Sequence, residues 1–297
     1  GGNVFYDSLI VSVSNNENRN RVSALGYSLG YLGGGLLFLV NVIMFLNPQF
    51  FGIENQSNAI LISFVTVAFW WAFFSIPILR NVSESDTQKQ EPRFFKAILQ
   101  SFNEVYQTLM EVRKYKNVAI FLLAYWFYMD GIDTIVRMAT AYGSDIGLEA
   151  SSMITALILT QFVGFPSTLI FGYFADKIGF KKIISIGILI YILISIFASR
   201  ITTATEFYLM AVVVGLVMGG VQAVSRAYFS SIIPEDKEAQ FFGFYNLVGK
   251  SAVVAGPALL AWISMIFNTP RAGILGLLIL FIPGLILLWM VPTQKNS

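Results

Sequence analysis

Asp130, Asp133 and Arg137 lie within residues 117–141, a stretch otherwise apolar enough to cross a bilayer. On a helix turning 100° per residue the three fall within about 60° of one another, and Trp126, four residues before Asp130, shares their face. A charged side chain at mid-bilayer costs roughly 2.5–3.5 kcal/mol even on the mildest scale. It persists by pairing, by facing water or by handling a solute. Two readings stand level. In the first, Asp133 pairs with Arg137 at i, i+4 and Lys250, from another stretch, neutralises Asp130. In the second, Asp130 and Asp133 line a solute and proton path, because buried carboxyls exchange protons and two acids exceed what one arginine needs. Arg137, roughly 10 Å from Asp130 along the axis, would then meet a carboxylate or gate the outer side.

Other polar residues in apolar stretches extend the set. Lys250 sits well inside residues 240–265, with Tyr245 and Asn246 a turn earlier, and needs a partner there. Arg226 shares a face with Gln222; near the end of its stretch, it is expected to anchor by snorkelling. Asp7 is the third acid against three bases. Gln161 and Trp126 read as packing or hydrogen-bonding residues rather than ligands.

These residues must be held by membrane helices. Of 297 residues, 56% are hydrophobic and 12% charged, and mean hydropathy is +0.69. One globular core cannot hide that much apolar surface, so lipid is the solvent. Cys and His are absent, which excludes disulfides, thiolate chemistry, zinc sites and histidine relays. The net charge of +2 is scattered in loops and gives no nucleic-acid surface. No metal or cofactor site is expected.

Eight apolar spans are expected, near 22–46, 59–79, 117–141, 152–175, 183–199, 207–229, 240–265 and 272–291, after a remnant of a ninth at 4–14. Gly1-Gly2 carries no initiator Met, so the chain reads as truncated at its N-terminus. Lysine and arginine alternate between loops, fourteen on one side against two on the other, which places the C-terminus in the cytoplasm. The long loop divides the chain: residues 1–80 as the end of a first, incomplete bundle, 81–116 as a cytoplasmic linker, and 117–297 as a second bundle of six spans. Within the linker, Pro92, Phe95, Ile98, Phe102, Val105, Leu109 and Val112 suit an amphipathic helix lying on the membrane surface. FYDSLI at 5–10 and YFSSII at 228–233 suggest duplicated halves.

Glycines add expectations about packing. Gly26, Gly30 and Gly34 form a face for close helix contact, as do Gly215 and Gly219, and Gly256-Pro257 marks a bend.

The segment GYFADKIGFKK (172–182) is the most diagnostic. Gly172 permits close helix approach, Asp176 caps or pairs with a cation, Gly179 allows a tight turn, and Lys177, Lys181 and Lys182 hold the loop inside. This pattern resembles the signature loop of the major facilitator superfamily. RVSALGYSLGYLGGG (21–35), YMDGIDTIVRMA (128–139) and residues 219–257 resemble its autophagy-related vacuolar amino-acid effluxer branch, from Val4 to about Pro292. Asp7 departs from the pattern, standing where an uncharged Asn is expected.

The resemblance implies an all-α integral membrane fold and a monomeric secondary transporter, without cofactor, that moves a small polar solute, such as amino acids, by alternating access with a coupling proton. The membrane would be the inner membrane of a bacterium or the vacuolar membrane of a eukaryote. The path would involve Asp130, Asp133, Arg137, Lys250, Asn246, Gln222 and Trp126, with Gly172 to Lys182 gating. A transporter-like sensor or scaffold is the alternative. An intramembrane aspartyl enzyme is disfavoured, because Asp130 and Asp133 share one helix and cannot face each other across a proton. No phosphate-cradling G-x-x-x-x-G-K-[ST] loop supports ATP-driven pumping.

Overall fold

Lipid offers the backbone no hydrogen-bond partner, so each apolar stretch satisfies its own N–H and C=O groups by winding into a helix. The computed structural model describes residues 9–10, 13–15, 17–82, 107–234 and 237–292. Its membrane helices and their parts are α1 (Arg19–Leu46), α2 (Gln56–Asn81), α3 (Lys116–Asp145), α4 (Ala150–Ile178), α5 (Phe180–Ala198), α6 (Ala204–Ile232), α7 (Glu238–Ser251), α8 (Ala255–Phe267), α9 (Pro270–Gly276) and α10 (Leu278–Met290). Residues 107–112 are also helical. Asp7, most of the expected 4–14 remnant, the amphipathic positions from Pro92 to Val105, and the tail with Lys295 lie outside the described residues.

Among the described residues eight spans are long and apolar enough to cross a membrane, as the hydropathy pattern predicts. The last two are interrupted. The span 240–265 is two helices, α7 and α8, joined by a turn at Ala252–Val254. Pro257 has no N–H to offer the Val253 carbonyl, so the helix breaks just before the bend expected at Gly256-Pro257. A single residue, Leu277, separates α9 from α10.

Local chemistry sets other ends. The Thr203 hydroxyl accepts from the Glu206 N–H while the Glu206 carboxylate accepts from the Thr203 N–H, a reciprocal cap that starts α6. Between α4 and α5 only Gly179 intervenes, at φ +98°, a left-handed conformation that a side chain would strain.

Burial is uneven. In α3 and α6 about two thirds of the apolar window is enclosed by protein, against 6% in α2. Phe64, Phe69 and Leu79 of α2 are exposed. The central helix, α6, packs on α1, α3, α4 and α5. Small residues bring it close: a Cβ on Gly220 would fall 2.3 Å from Phe171, and one on Gly215 2.8 Å from the Thr160 carbonyl. Of the expected Gly26–Gly30–Gly34 face, Gly30 and Gly34 make no close contact among the described residues: a Cβ at either would have nothing within 4 Å, while one on Gly35 would meet Gln161 of α4 at 3.2 Å. The packed side of α1 is instead a polar stripe of Asn20, Ser23, Ser28 and Tyr31.

Candidate functional site

Asp130 is fully buried on α3, and no side chain among the described residues donates to its carboxyl oxygens; the backbone N–H of Gly256 is the donor beside them. Buried polar groups are normally satisfied by side chains, backbone or water, and a carboxyl without a side-chain donor inside a membrane span is an exception to that rule. Its own carbonyl accepts from the Thr134 hydroxyl at 2.6 Å. Opposite stands Gly256, second residue of α8. A Cβ there would lie 2.0 Å from Thr134 Oγ1, 2.7 Å from Asp130 Oδ1 and 3.0 Å from the Asp130 carbonyl oxygen. The break in the seventh span thus brings the first turn of a half-helix, with its unshared N–H groups and positive dipole end, against the carboxyl.

Asp133 is half-buried, and Tyr31, Tyr125 and Tyr191, from α1, α3 and α5, share its electrostatic surroundings. Arg137 is exposed. Among the described residues it makes no ion pair with Asp133; the pairs that form are Arg19–Glu238 and Lys237–Glu111. The i, i+4 spacing brings the two side chains to one face without closing a bridge, because only the Asp130 end of that face is covered by other helices.

Lys250 does not neutralise Asp130. It is exposed at the end of α7 and makes no ion pair among the described residues. The inward side of α7 is aromatic: Tyr245 stacks on Tyr125 with ring centroids 4.3 Å apart and on Phe229 at 4.6 Å. Neighbouring Gly249 faces Tyr125, which turns Lys250 outward. Asn246 spends its Nδ2–H on the Phe242 carbonyl of its own helix. Trp126 packs edge-on against Phe127.

Gln222 is drawn into the interface with α1. Its Oε1 accepts from the Tyr31 hydroxyl at 3.1 Å, and Tyr31 lies over Gly219, where a Cβ would fall 2.4 Å from its ring. Arg226 departs from the expected snorkelling anchor. It is buried, donates from Nε to Ser23 Oγ at 2.9 Å and from Nη2 to the Ser23 carbonyl at 3.2 Å, and lies 4.7 Å from the centre of the Tyr27 ring. Guanidinium planarity suits this combined hydrogen-bonding and stacking.

The signature loop joins the same interface. Gly172 allows α4 to meet α1, where its Cβ would fall 2.7 Å from Ala24. Asn20 Nδ2 donates to the Gly172 carbonyl and to Asp176 Oδ1, both at 2.7 Å. Lys177 rests over the Tyr173 ring, Lys181 donates to the Trp289 and Val291 carbonyls, and Lys182 is exposed. Asn20, Ser23, Tyr27 and Tyr31 recur at three- and four-residue spacing, so a polar face within α1 was the available signal for these partners.

A broken span thus lies against a buried carboxyl, beside a polar seam between α1, α4 and α6. The model of the family described as "Vacuole effluxer Atg22 like" matches residues 10–297. The chain belongs to that family. It is 37% identical over its full length to an "Uncharacterized MFS-type transporter YxiO" of Bacillus subtilis, covering 69% of that protein. Autophagy-related protein 22-1 of Aspergillus fumigatus is 22% identical over 93% of this chain, and autophagy-related protein 22 of Yarrowia lipolytica 24% identical over 97%. The chain spans about half the length of these fungal relatives, 49% and 53%. Family and fold together make it an integral membrane protein of a transporter family rather than an enzyme.

Proposed function

We propose that the family member represented by this chain is a secondary transporter of a small polar solute, with Asp130 as its ionisable centre. The observation that carries this reading is the buried Asp130 carboxyl, without a side-chain donor, against the first turn of α8. A neutral carboxyl tolerates that position and an ionised one demands compensation. Taking up or releasing a proton therefore changes what the broken span must supply. Asp133, half-buried with tyrosines around it, offers the neighbouring contact for a solute's donor groups. Amino acids are the solute class that the family resemblance suggests.

The seam of α1 with α4 and α6 serves as the gate in this reading. Asn20, Ser23 and Arg226 close it at the loop end, which the distribution of basic residues assigns to the cytoplasm. Opening that end breaks these bonds, and closing it restores them.

The test is flux in proteoliposomes of the full-length protein across pH. Asp130→Asn should abolish pH dependence while leaving the protein folded, and Asp130→Asn with Asp133→Asn should also weaken solute affinity. Unchanged pH-dependent flux and affinity in the double variant would refute the assignment.

A further inference from the structure

A polar chamber lies at the loop end of the α1 seam, built from residues separate from Asp130. It has a volume of about 180 Å³, opens to the surface, and is lined by Glu17, Arg19, Asn20, Asp176, Ser230 and Glu238, among others. That is room for about six waters or an organic molecule of about five heavy atoms.

Its wall is already partly bonded, and what remains open has a definite chemistry. Arg19 is 8% exposed and Asn20 5%. Arg19 Nη1 donates to Glu238 Oε1 at 3.1 Å, but its Nε–H has no acceptor, and Asn20 Oδ1 has no donor. The Ser230 and Ser231 hydroxyls donate to the Ala227 and Tyr228 carbonyls of their own helix, so toward the chamber they present lone pairs only. Glu17 and Asp176 add carboxylate oxygens. The wall therefore offers many acceptors, while its open side-chain donors are those of Arg19: Nε–H and the guanidinium N–H groups that Glu238 leaves free. Its three carboxylates outnumber its one guanidinium, and the nearby Lys177 and Lys181 are engaged away from it, over Tyr173 and on the Trp289 and Val291 carbonyls.

We propose that this chamber binds a small organic ammonium ion that also carries one hydrogen-bond acceptor. The ammonium N–H groups match Asn20 Oδ1, the serine oxygens and the carboxylates, and the acceptor meets Arg19 Nε–H. A free anion meets net negative charge. A bare metal ion lacks its ligand set, since no group of three or more acids is placed to hold one among the described residues.

The experiment is thermal unfolding of the full-length protein in amine-free buffer, titrated with ethanolamine, methylammonium and acetate. Ethanolamine should raise Tm saturably, methylammonium should bind about tenfold more weakly for want of the acceptor, and acetate should give no shift. Arg19→Lys, which keeps a cation opposite Glu238 but removes Nε–H, should erase the preference for ethanolamine. Glu17→Gln, at an exposed position that tolerates change, should weaken both amines. Asp130→Asn should leave all three responses intact, so this inference fails or stands independently of the flux assignment. Absence of a saturable ethanolamine shift, an equal response to acetate, or an ethanolamine preference that survives Arg19→Lys would each overturn it.

Discussion

Ser23 both gives and receives at the seam: its hydroxyl donates to the Ala223 carbonyl at 2.8 Å while accepting from Arg226 Nε at 2.9 Å. One small side chain thereby fixes α1 to two points a turn apart on α6. Ser23→Ala removes a charge-assisted bond within a buried network, a loss of about 1.5–3 kcal/mol. We expect a lower Tm for the detergent-solubilised protein. Arg226→Lys should lower it as well, since an ammonium cannot hold Ser23 and stack on Tyr27 together.

Gly256→Ala tests the approach of α8 to Asp130. The added methyl meets Thr134, a β-branched side chain with few rotamers, and the Asp130 backbone. Overpacking of this kind costs about 1–3 kcal/mol. Gly243→Ala in α7 is the matched control, with nothing within 4 Å of its Cβ. There, the lower backbone entropy of alanine should leave Tm unchanged or raise it.

Loosening the loop end should be visible chemically. The chain has no cysteine, so a lone reporter introduced as Ala227→Cys, at a buried position, reads opening by thiol labelling. Asn20→Ala removes the donor held by Gly172 and Asp176. Loss of 1–2 kcal/mol from the closed form should speed labelling by about 5- to 30-fold. An unchanged rate would mean that these bonds do not hold the seam shut.

Acid should undock the segment before α3. Glu111 accepts from Lys237, and Gln240 Nε2 donates to Glu111 Oε2 at 3.3 Å and to Thr108 Oγ1 at 2.8 Å. The bond from Lys237 leads the causes that hold the Glu111 carboxyl below its ordinary value of 4.5. A carboxyl depressed by folding stabilises fully above its unfolded pKa and loses that contribution as pH falls through the folded one. Hydrogen exchange at residues 107–112 should therefore be steady from pH 7 to 5 and accelerate, after correction for intrinsic rates, below about pH 4. Glu111→Gln should flatten the profile.

Hydropathy alone revealed the helices and most of their limits, because a bilayer enforces length and leaves the backbone no alternative to helix. Asp130 stood out for the same reason: charge is conspicuous in hydrocarbon. Its partner was not legible. A lysine at the right depth on another span suggested a counter-charge, yet depth says nothing about which way Lys250 points, and Tyr245 decides that by stacking on Tyr125. Likewise Arg226 near a helix end resembled a snorkelling anchor until α1 supplied Ser23 and Tyr27. The glycines of α1 misled because spacing identifies a smooth face without saying whether anything lies against it. The polar stripe of α1 was visible but ambiguous, since serines and tyrosines sit easily in many membrane helices.

The break at Ala252–Val254 has a mechanical consequence. With α7 held by its aromatic stack, any tilt of α8, together with α9 packed against it, would pivot beside Asp130. Thirteen residues make an arm roughly 20 Å long. A tilt of about 10° at the pivot would carry its far tip through about 3.5 Å, while Gly256, near the fulcrum, shifts by only a fraction of an ångström. A small adjustment where the carboxyl sits is thus geared up to about the width of a water molecule at the opposite face.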